Sequence, residues 1–189
     1  MSPYDFISKK VDRLVSKFKT RDPYEICGCL GIYIHFKDLG ENLKGFYFYQ
    51  SKIRNIAINT RLVEDIRRIL ISHELGHDRL HQRIAKMKGF QEFELYDAVM
   101  PTEHEANVFA AELLIKDNEL LALLNDSERS FFDVARELSV PAELLDFKFR
   151  AFKQKGYRVV APYIASSGFL KENIDGCFIE EYDYVDLEQ

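Results

Sequence analysis

The sequence predicts one α+β domain, mostly helical, with a small three-stranded antiparallel sheet placed before its longest helix. Three features carry that expectation. Residues 31–59 hold three short runs rich in aromatic and β-branched residues, joined by turn-like segments. From Leu62 to His81, apolar residues and histidines recur every three or four positions. From Pro101 to Lys116, a proline-led acidic turn runs into alanine and leucine, which marks a second long helix. At 189 residues, with 47% hydrophobic content and 15 Phe, the chain can build a single real core.

Each element has its own warrant. Ser2 to Thr20 is an amphipathic helix, with Ile7, Val11, Leu14 and Phe18 on one side and Lys9, Lys10, Arg13 and Lys17 on the rest. A basic helix can serve nucleic acid or a membrane, but the solvated face of a packed helix is the expected reading. Asp22 to Cys29 forms a short second helix. The strands are Gly31–Phe36, Gly45–Gln50 and Ile53–Asn59. Arg83 to Met100 lacks clean periodicity and reads either as a substrate-facing lid or, the slightly favoured reading, as a connector that packs Phe90, Phe93, Leu95, Tyr96 and Val99 inward. Residues 128–155 form a helical pair, Ser130–Leu138 and Ala142–Lys153, around a Ser139-Val140-Pro141 turn. Lys148, Arg150, Lys153 and Lys155 raise the possibility of DNA binding there. A net charge of −5 opposes it, as does a second helix that devotes Leu144, Leu145, Phe147, Phe149 and Phe152 to packing. Direct nucleic-acid binding is therefore not expected. Residues 1–156 are read as the main domain, and residues 157–189 as an extension ending in an acidic tail with Glu180, Glu181, Asp183, Asp186 and Glu188, by default a solvated tail, alternatively a docking strip for a basic partner or a nucleic-acid mimic.

No apolar run reaches the length of a membrane span and no signal-peptide pattern opens the chain, so a cytoplasmic protein is expected. Cys27, Cys29 and Cys177 fit a reduced compartment, and Cys27-Gly28-Cys29 is too tightly spaced for an ordinary zinc pair. They are read as small buried thiols.

The chemistry is concentrated in His73-Glu74-Leu75-Gly76-His77. Two imidazoles four residues apart share one helix face, roughly 5–6 Å apart at Cβ, and can reach a single Zn²⁺. The carboxylate between them sits where a general base would work. The alternative is a pair of satisfied core histidines, since both continue the apolar stripe of Leu62, Ile66, Ile69, Leu70 and Leu80. Two buried imidazoles beside a carboxylate are costly without a ligand, which favours the metal. His81 extends the series but lies about 12 Å along the axis from His73, beyond the reach of one ion. A third ligand must come from a later helix. Glu105 shares a face with Val108, Phe109, Glu112 and Leu113, which makes it a natural candidate. The pattern Thr102-x-x-Glu105 can equally form a capping box, and Glu103 and His104 are nearby substitutes. Tyr96, Tyr163, His81 and His104 are conceivable oxyanion partners, and none is privileged by spacing. Glu112 either orients a ligand histidine or is solvated.

His73-Glu-Leu-Gly-His77, followed by Glu105-Ala-Asn-Val-Phe-Ala-Ala-Glu-Leu-Leu114, resembles the ImmA/IrrE family of metallo-endopeptidases over roughly residues 20–155. The resemblance implies a zincin-like fold, one Zn²⁺, and proteolytic inactivation of a helix-turn-helix repressor, often in prophages or integrative elements. By the family pattern His73, His77 and Glu105 would be the ligands and Glu74 the catalytic base. The family's alanine-rich helix commonly runs into Met-Pro, whereas Ile115-Lys116 stand here, a departure that bears on the helix end alone. In such folds a sheet edge can take extended peptide by strand addition. The competing expectation is a non-catalytic regulatory binding protein whose metal site is structural or sensory. An intact Glu74 favours the enzyme, because a structural site needs no base.

Overall fold

The computed structural model describes residues 2–88, 100–125 and 129–171. Helix α1 (Pro3–Phe18) starts on a capping box, in which Ser2 accepts from the Asp5 amide and Asp5 accepts from the Ser2 amide. Its buried stripe is Ile7, Val11 and Leu14, at the spacing a single helix face requires. Helix α2 (Pro23–Leu30) is capped by Asp22 and ends at Gly31, whose φ of 66° stops the helix in the left-handed region.

Strands β1 (Ile32–Lys37), β2 (Gly45–Gln50) and β3 (Ile53–Asn59) form one sheet in the order β1-β3-β2. β2 and β3 make the expected antiparallel hairpin, but β1 pairs with β3 in parallel, Ile32 opposite Arg54 through Lys37 opposite Asn59. The sheet is mixed, a departure from the antiparallel expectation. Its cause is the connector after β1, which carries the chain past the site of β3 so that the hairpin returns into the gap. Asn59 holds that connector by donating to the carbonyls of Gly40 and Leu43 at 2.7 and 2.8 Å. The hairpin turn is made by Ser51 and Lys52, with φ of 51° and 66°. Two positive φ values match a primed two-residue turn, whose twist suits the flanking strands.

Helix α3 (Glu64–Lys88) follows the sheet and outlasts the predicted segment by almost two turns. It packs on β2 and β3 and, most extensively, on α4 (Met100–Leu114). α5 (Asp117–Leu124), which the sequence reading did not mark, α6 (Phe131–Glu137) and α7 (Ala142–Gln154) complete seven α-helices among the described residues. The α4 end is closed by Arg21, which donates to the carbonyls of Glu112 and Leu113 at 2.9 and 3.0 Å.

The predicted helical pair exists as α6 and α7, but α7 is a core helix. Leu144, Leu145, Phe147, Ala151 and Phe152 are fully buried on it, together with Lys148. Lys148 donates to Glu112 and Asp117, Lys155 binds the same two carboxylates, and Arg150 holds Asp146. Those cations are ion-paired within the domain. Past α7 the chain folds back: Asp146 accepts from the amides of Tyr163 and Ala165, and Ala161, Ala165, Phe169 and Leu170 are buried. The first part of the extension is thus packed on the body. Its acidic tail, most of the Arg83–Met100 connector, Tyr96 and Cys177 lie outside the described residues. No helix of the described residues is long and apolar enough to cross a membrane.

Candidate metal centre

α3 presents His73 and His77 one turn apart, and α4 lies against that turn because Gly76 lets it. A Cβ built on Gly76 would stand 3.1 Å from the Ala106 Cα and 3.2 Å from the Phe109 Cβ. On α4, Glu103, Ala106, Asn107 and Ala110 follow the i, i+3, i+4, i+7 spacing of one face. Ala106 meets Gly76, and its neighbours Glu103 and Asn107 therefore flank the histidines.

The result is a convergence of three donor side chains. His73 Nε2 lies 3.4 Å from Glu103 Oε2, and His77 Nε2 lies 3.3 Å from Glu103 Oε1. The two Nε2 atoms are 3.1 Å apart. Ligand atoms of His73, His77 and Glu103 all fall within 4.8 Å of one another, and all three residues are buried. A set of two imidazoles and one carboxylate matches the N and O donors of three-ligand catalytic zinc sites. The residues present fit such an ion.

The remaining ring nitrogens are also engaged. His73 Nδ1 is 2.7 Å from Asn107 Oδ1, and the Asn107 amide donates to the Ser167 carbonyl at 2.8 Å. With its NH₂ group so committed, Asn107 offers an acceptor, and His73 donates through Nδ1. His77 Nδ1 is 3.2 Å from His81 Nδ1, and His81 Nε2 is 2.9 Å from Glu105 Oε2. Both predicted ligand histidines thus point Nε2 at the convergence and hold their other nitrogen on a partner.

Glu105, the expected third ligand, is placed elsewhere. It sits two residues from Glu103, about 200° around the helix at 3.6 residues per turn, and meets His81 with its side chain 37% exposed. Glu103, at 9%, takes the place beside the histidines. The Thr102–Glu105 capping box does not arise, because α4 already runs through Thr102. Sequence reasoning chose the Val108–Phe109 face of α4 as the inward one. In the fold Ala106, Asn107, Val108, Phe109, Ala110, Ala111 and Leu113 are all fully buried, so no single apolar face indicated direction. The signal that could have found Glu103 was its i+4 relation to Asn107 on the alanine face, the side able to approach a glycine.

Other candidates also find different partners. Glu112 accepts from Lys148 and Lys155 and does not orient a histidine. His104 turns towards α1, its Nε2 2.8 Å from the Tyr4 hydroxyl and its ring edge-on to Phe147. Tyr163 lies beside Lys153 and is 60% exposed.

Electrostatics distinguishes the two imidazoles. Burial pushes His77 down to about 4, against the opposing pull of Glu103. Burial acts the same way on His73, but the hydrogen bond to Glu103 and the charges of Glu74 and Glu103 outweigh it and raise the ring. Glu103 is buried too, which alone would lift it, yet its bonds to both histidines hold it well below the usual carboxylate range. Glu74, buried on α3, is close enough to act on His73 by charge.

Comparison with known proteins places the chain. Residues 27–150 match the profile of the IrrE N-terminal-like domain, a peptidase family. An uncharacterized immunity region protein of Bacillus phage phi105 is 38% identical over 146 residues, covering 77% of this chain and 90% of the phage protein. Metallopeptidase ImmA of Bacillus subtilis (strain 168) is 27% identical over 165 residues, covering 86% and 95% of the two chains.

Proposed function

Because the chain belongs to the ImmA/IrrE metallopeptidase family, whose members are associated with phage immunity regions, we propose that it is a zinc-dependent endopeptidase that inactivates a helix-turn-helix repressor by cleaving it. His73, His77 and Glu103 would hold the ion, and Glu74 would serve as general base. The observation that carries this reading is the approach of two imidazole Nε2 atoms and one carboxylate within 4.8 Å in a buried site. When bound, zinc would supply a Lewis acid that polarises a peptide carbonyl and acidifies water.

The chain's own groups divide the remaining work. Glu74 stands between the two histidines in the sequence of α3, and its carboxylate takes a proton from the water that adds to the peptide carbonyl and returns it to the amine as the C–N bond breaks. His73 and His77 remain neutral donors when they hold the ion. A regulatory role fits the family's link to phage immunity regions and the name of the phage relative.

The test uses four proteins: wild type, Glu74→Gln, Glu103→Gln and Glu105→Gln. Bound metal is quantified, and each is incubated with the repressor-type proteins encoded beside its gene. The proposal expects one zinc in wild type, Glu74→Gln and Glu105→Gln, little in Glu103→Gln, and site-specific cleavage that Glu74→Gln abolishes. Metal retained by Glu103→Gln but lost from Glu105→Gln would overturn the ligand assignment. Cleavage undiminished in Glu74→Gln would overturn the mechanism.

A further inference from the structure

Resting on that zinc reading, we propose that His81 and Glu105 form a positioning pair that presents His77 to the metal in the required tautomer. Imidazole binds an ion through a nitrogen without a proton, so a ligand ring works only if its hydrogen sits on the other nitrogen. For His77 the outer nitrogen is Nδ1, since Nε2 faces His73 and Glu103.

The chain of contacts fixes where each hydrogen goes. The Glu105 carboxylate only accepts, so His81 carries its hydrogen on Nε2 and donates across 2.9 Å. In its neutral form His81 then has a lone pair on Nδ1, and that atom lies 3.2 Å from His77 Nδ1. On this reading His77 donates there through Nδ1, which leaves His77 Nε2 bare and aimed at the convergence. His81 is 6% exposed and stands one helical turn beyond His77, so its ring has little freedom to turn away. Glu105 reaches it from α4 and orients it from a partly solvated position. The same arrangement serves His73 by another route, through Asn107 and the Ser167 carbonyl. On this reading Glu105 contributes to the site without touching the ion.

The experiment measures zinc dissociation constants by competition with a chromophoric chelator, and the His77 tautomer by ¹⁵N NMR. The proteins are wild type, His81→Phe, His81→Asn, Glu105→Gln and Glu103→Gln. His81→Phe keeps a ring but removes the acceptor, and zinc affinity should fall roughly 10–100-fold with one ion still bound per chain. His81→Asn offers an oxygen near the Nδ1 position and should recover most of that loss, which a purely structural role would not predict. Glu105→Gln, whose partly exposed side chain makes misfolding a small concern, should weaken zinc about tenfold. In metal-free wild type the NMR signals should put the hydrogen of His77 on Nδ1, and His81→Phe should redistribute it. Wild-type affinity and an unchanged tautomer in both His81→Phe and Glu105→Gln would overturn the inference while leaving the zinc site standing. Full zinc retention in Glu103→Gln, or no zinc in wild type, would instead remove the site on which it rests.

Discussion

Gly76→Ala isolates the contact that brings Glu103, the proposed third ligand, to the histidines. The added methyl would stand 3.1 Å from the Ala106 Cα, 3.2 Å from the Phe109 Cβ and 3.3 Å from the Ala106 carbonyl oxygen. Carbon atoms prefer about 3.5–4.0 Å, so the helices must part by roughly 0.5 Å, and no flexible side-chain tip is present to absorb the change. Two energies then oppose. Alanine is better than glycine inside a helix by about 1 kcal/mol, whereas overpacking a core costs about 1–3 kcal/mol. The net is a loss of about 0–2 kcal/mol, or about 0–8 °C in Tm at this size. Metal binding should suffer more than stability. Glu103 lies one turn before Ala106 on the displaced helix, and metal sites tolerate deviations of only about 0.2 Å in ligand distance. A tenfold or greater loss of zinc affinity is expected, in line with the roughly 10–100-fold cost of outer-sphere changes. Thermal unfolding in chelator gives the first quantity and competition with a chromophoric chelator the second. A Gly76→Ala protein with raised Tm and wild-type zinc affinity would refute the argument that this contact sets ligand distance.

Other outcomes follow from the same geometry. Chelation should lower Tm by about 5–11 °C relative to protein with zinc at 100 times its dissociation constant, a stabilisation of about 2.7 kcal/mol, and Glu103→Gln should erase the difference. Lys52→Gly should stabilise the β2–β3 hairpin by about 0.5–1 kcal/mol in urea unfolding, because Lys52 has φ of 66°, a left-handed conformation that costs a side chain about 1–2 kcal/mol, partly offset by glycine's freer unfolded state. Burial raises the Cys27 thiol to about 12, while Cys29 is exposed; iodoacetamide and peptide mapping should modify Cys29 in the native protein and reach Cys27 only on unfolding. Burial would raise Asp117, but Lys148 and Lys155 outweigh it and hold the carboxyl below 3.8, its ordinary value. The unfolded chain then binds the proton first, so Asp117's contribution is complete above about pH 4 and is lost as pH falls through the lower folded value. Acid titration of Asp117→Asn should flatten that limb.

What the sequence made legible follows its periodicities. The stripe Ile66, Ile69, Leu70, His73, His77 marked α3 and faced both histidines inward, because that helix has one buried side and one wet side along its first turns. β2 and β3 were read to the residue, since Ser51-Lys52 is the short break between two strand-like runs. Parallel pairing of β1 was not legible: alternation along a strand says which residues share a face and nothing about its neighbour's direction. The position of Glu103 beside the histidines was not legible for a related reason. A helix buried all round presents no polar side against which to fix its rotation, so the carboxylate beside the Val108–Phe109 face looked as well placed as the one beside the alanines. α5 escaped because eight residues give barely two turns in which a period can show.

That asymmetry between the proposed ligands has a physical origin. His73 and His77 are brought together by one helix, so their pairing requires only that α3 form. Glu103 is 26 positions beyond His77, and bringing it back from an unfolded chain costs on the order of 3 kcal/mol in loop closure, before any contact repays it. The repayment comes from burying α4 against α3 through Gly76, Ala106 and Phe109, and against α1 and α7 on its other sides. Errors in the site should therefore concentrate in helix packing more than in the His-Glu-Leu-Gly-His segment itself. Asn107 extends the dependence, because its bond to Ser167 ties the orientation of His73 to the strand of chain that Asp146 and Arg150 clamp on α7. A substitution at Asp146, far along the chain from either histidine, should thus loosen the Asn107 partner and weaken zinc binding together with stability. Asp146→Asn keeps the shape and removes the charge that pairs with Arg150 at 2.6 Å. If its zinc affinity equals wild type while its Tm falls by several degrees, the clamp stabilises the fold without reaching the metal.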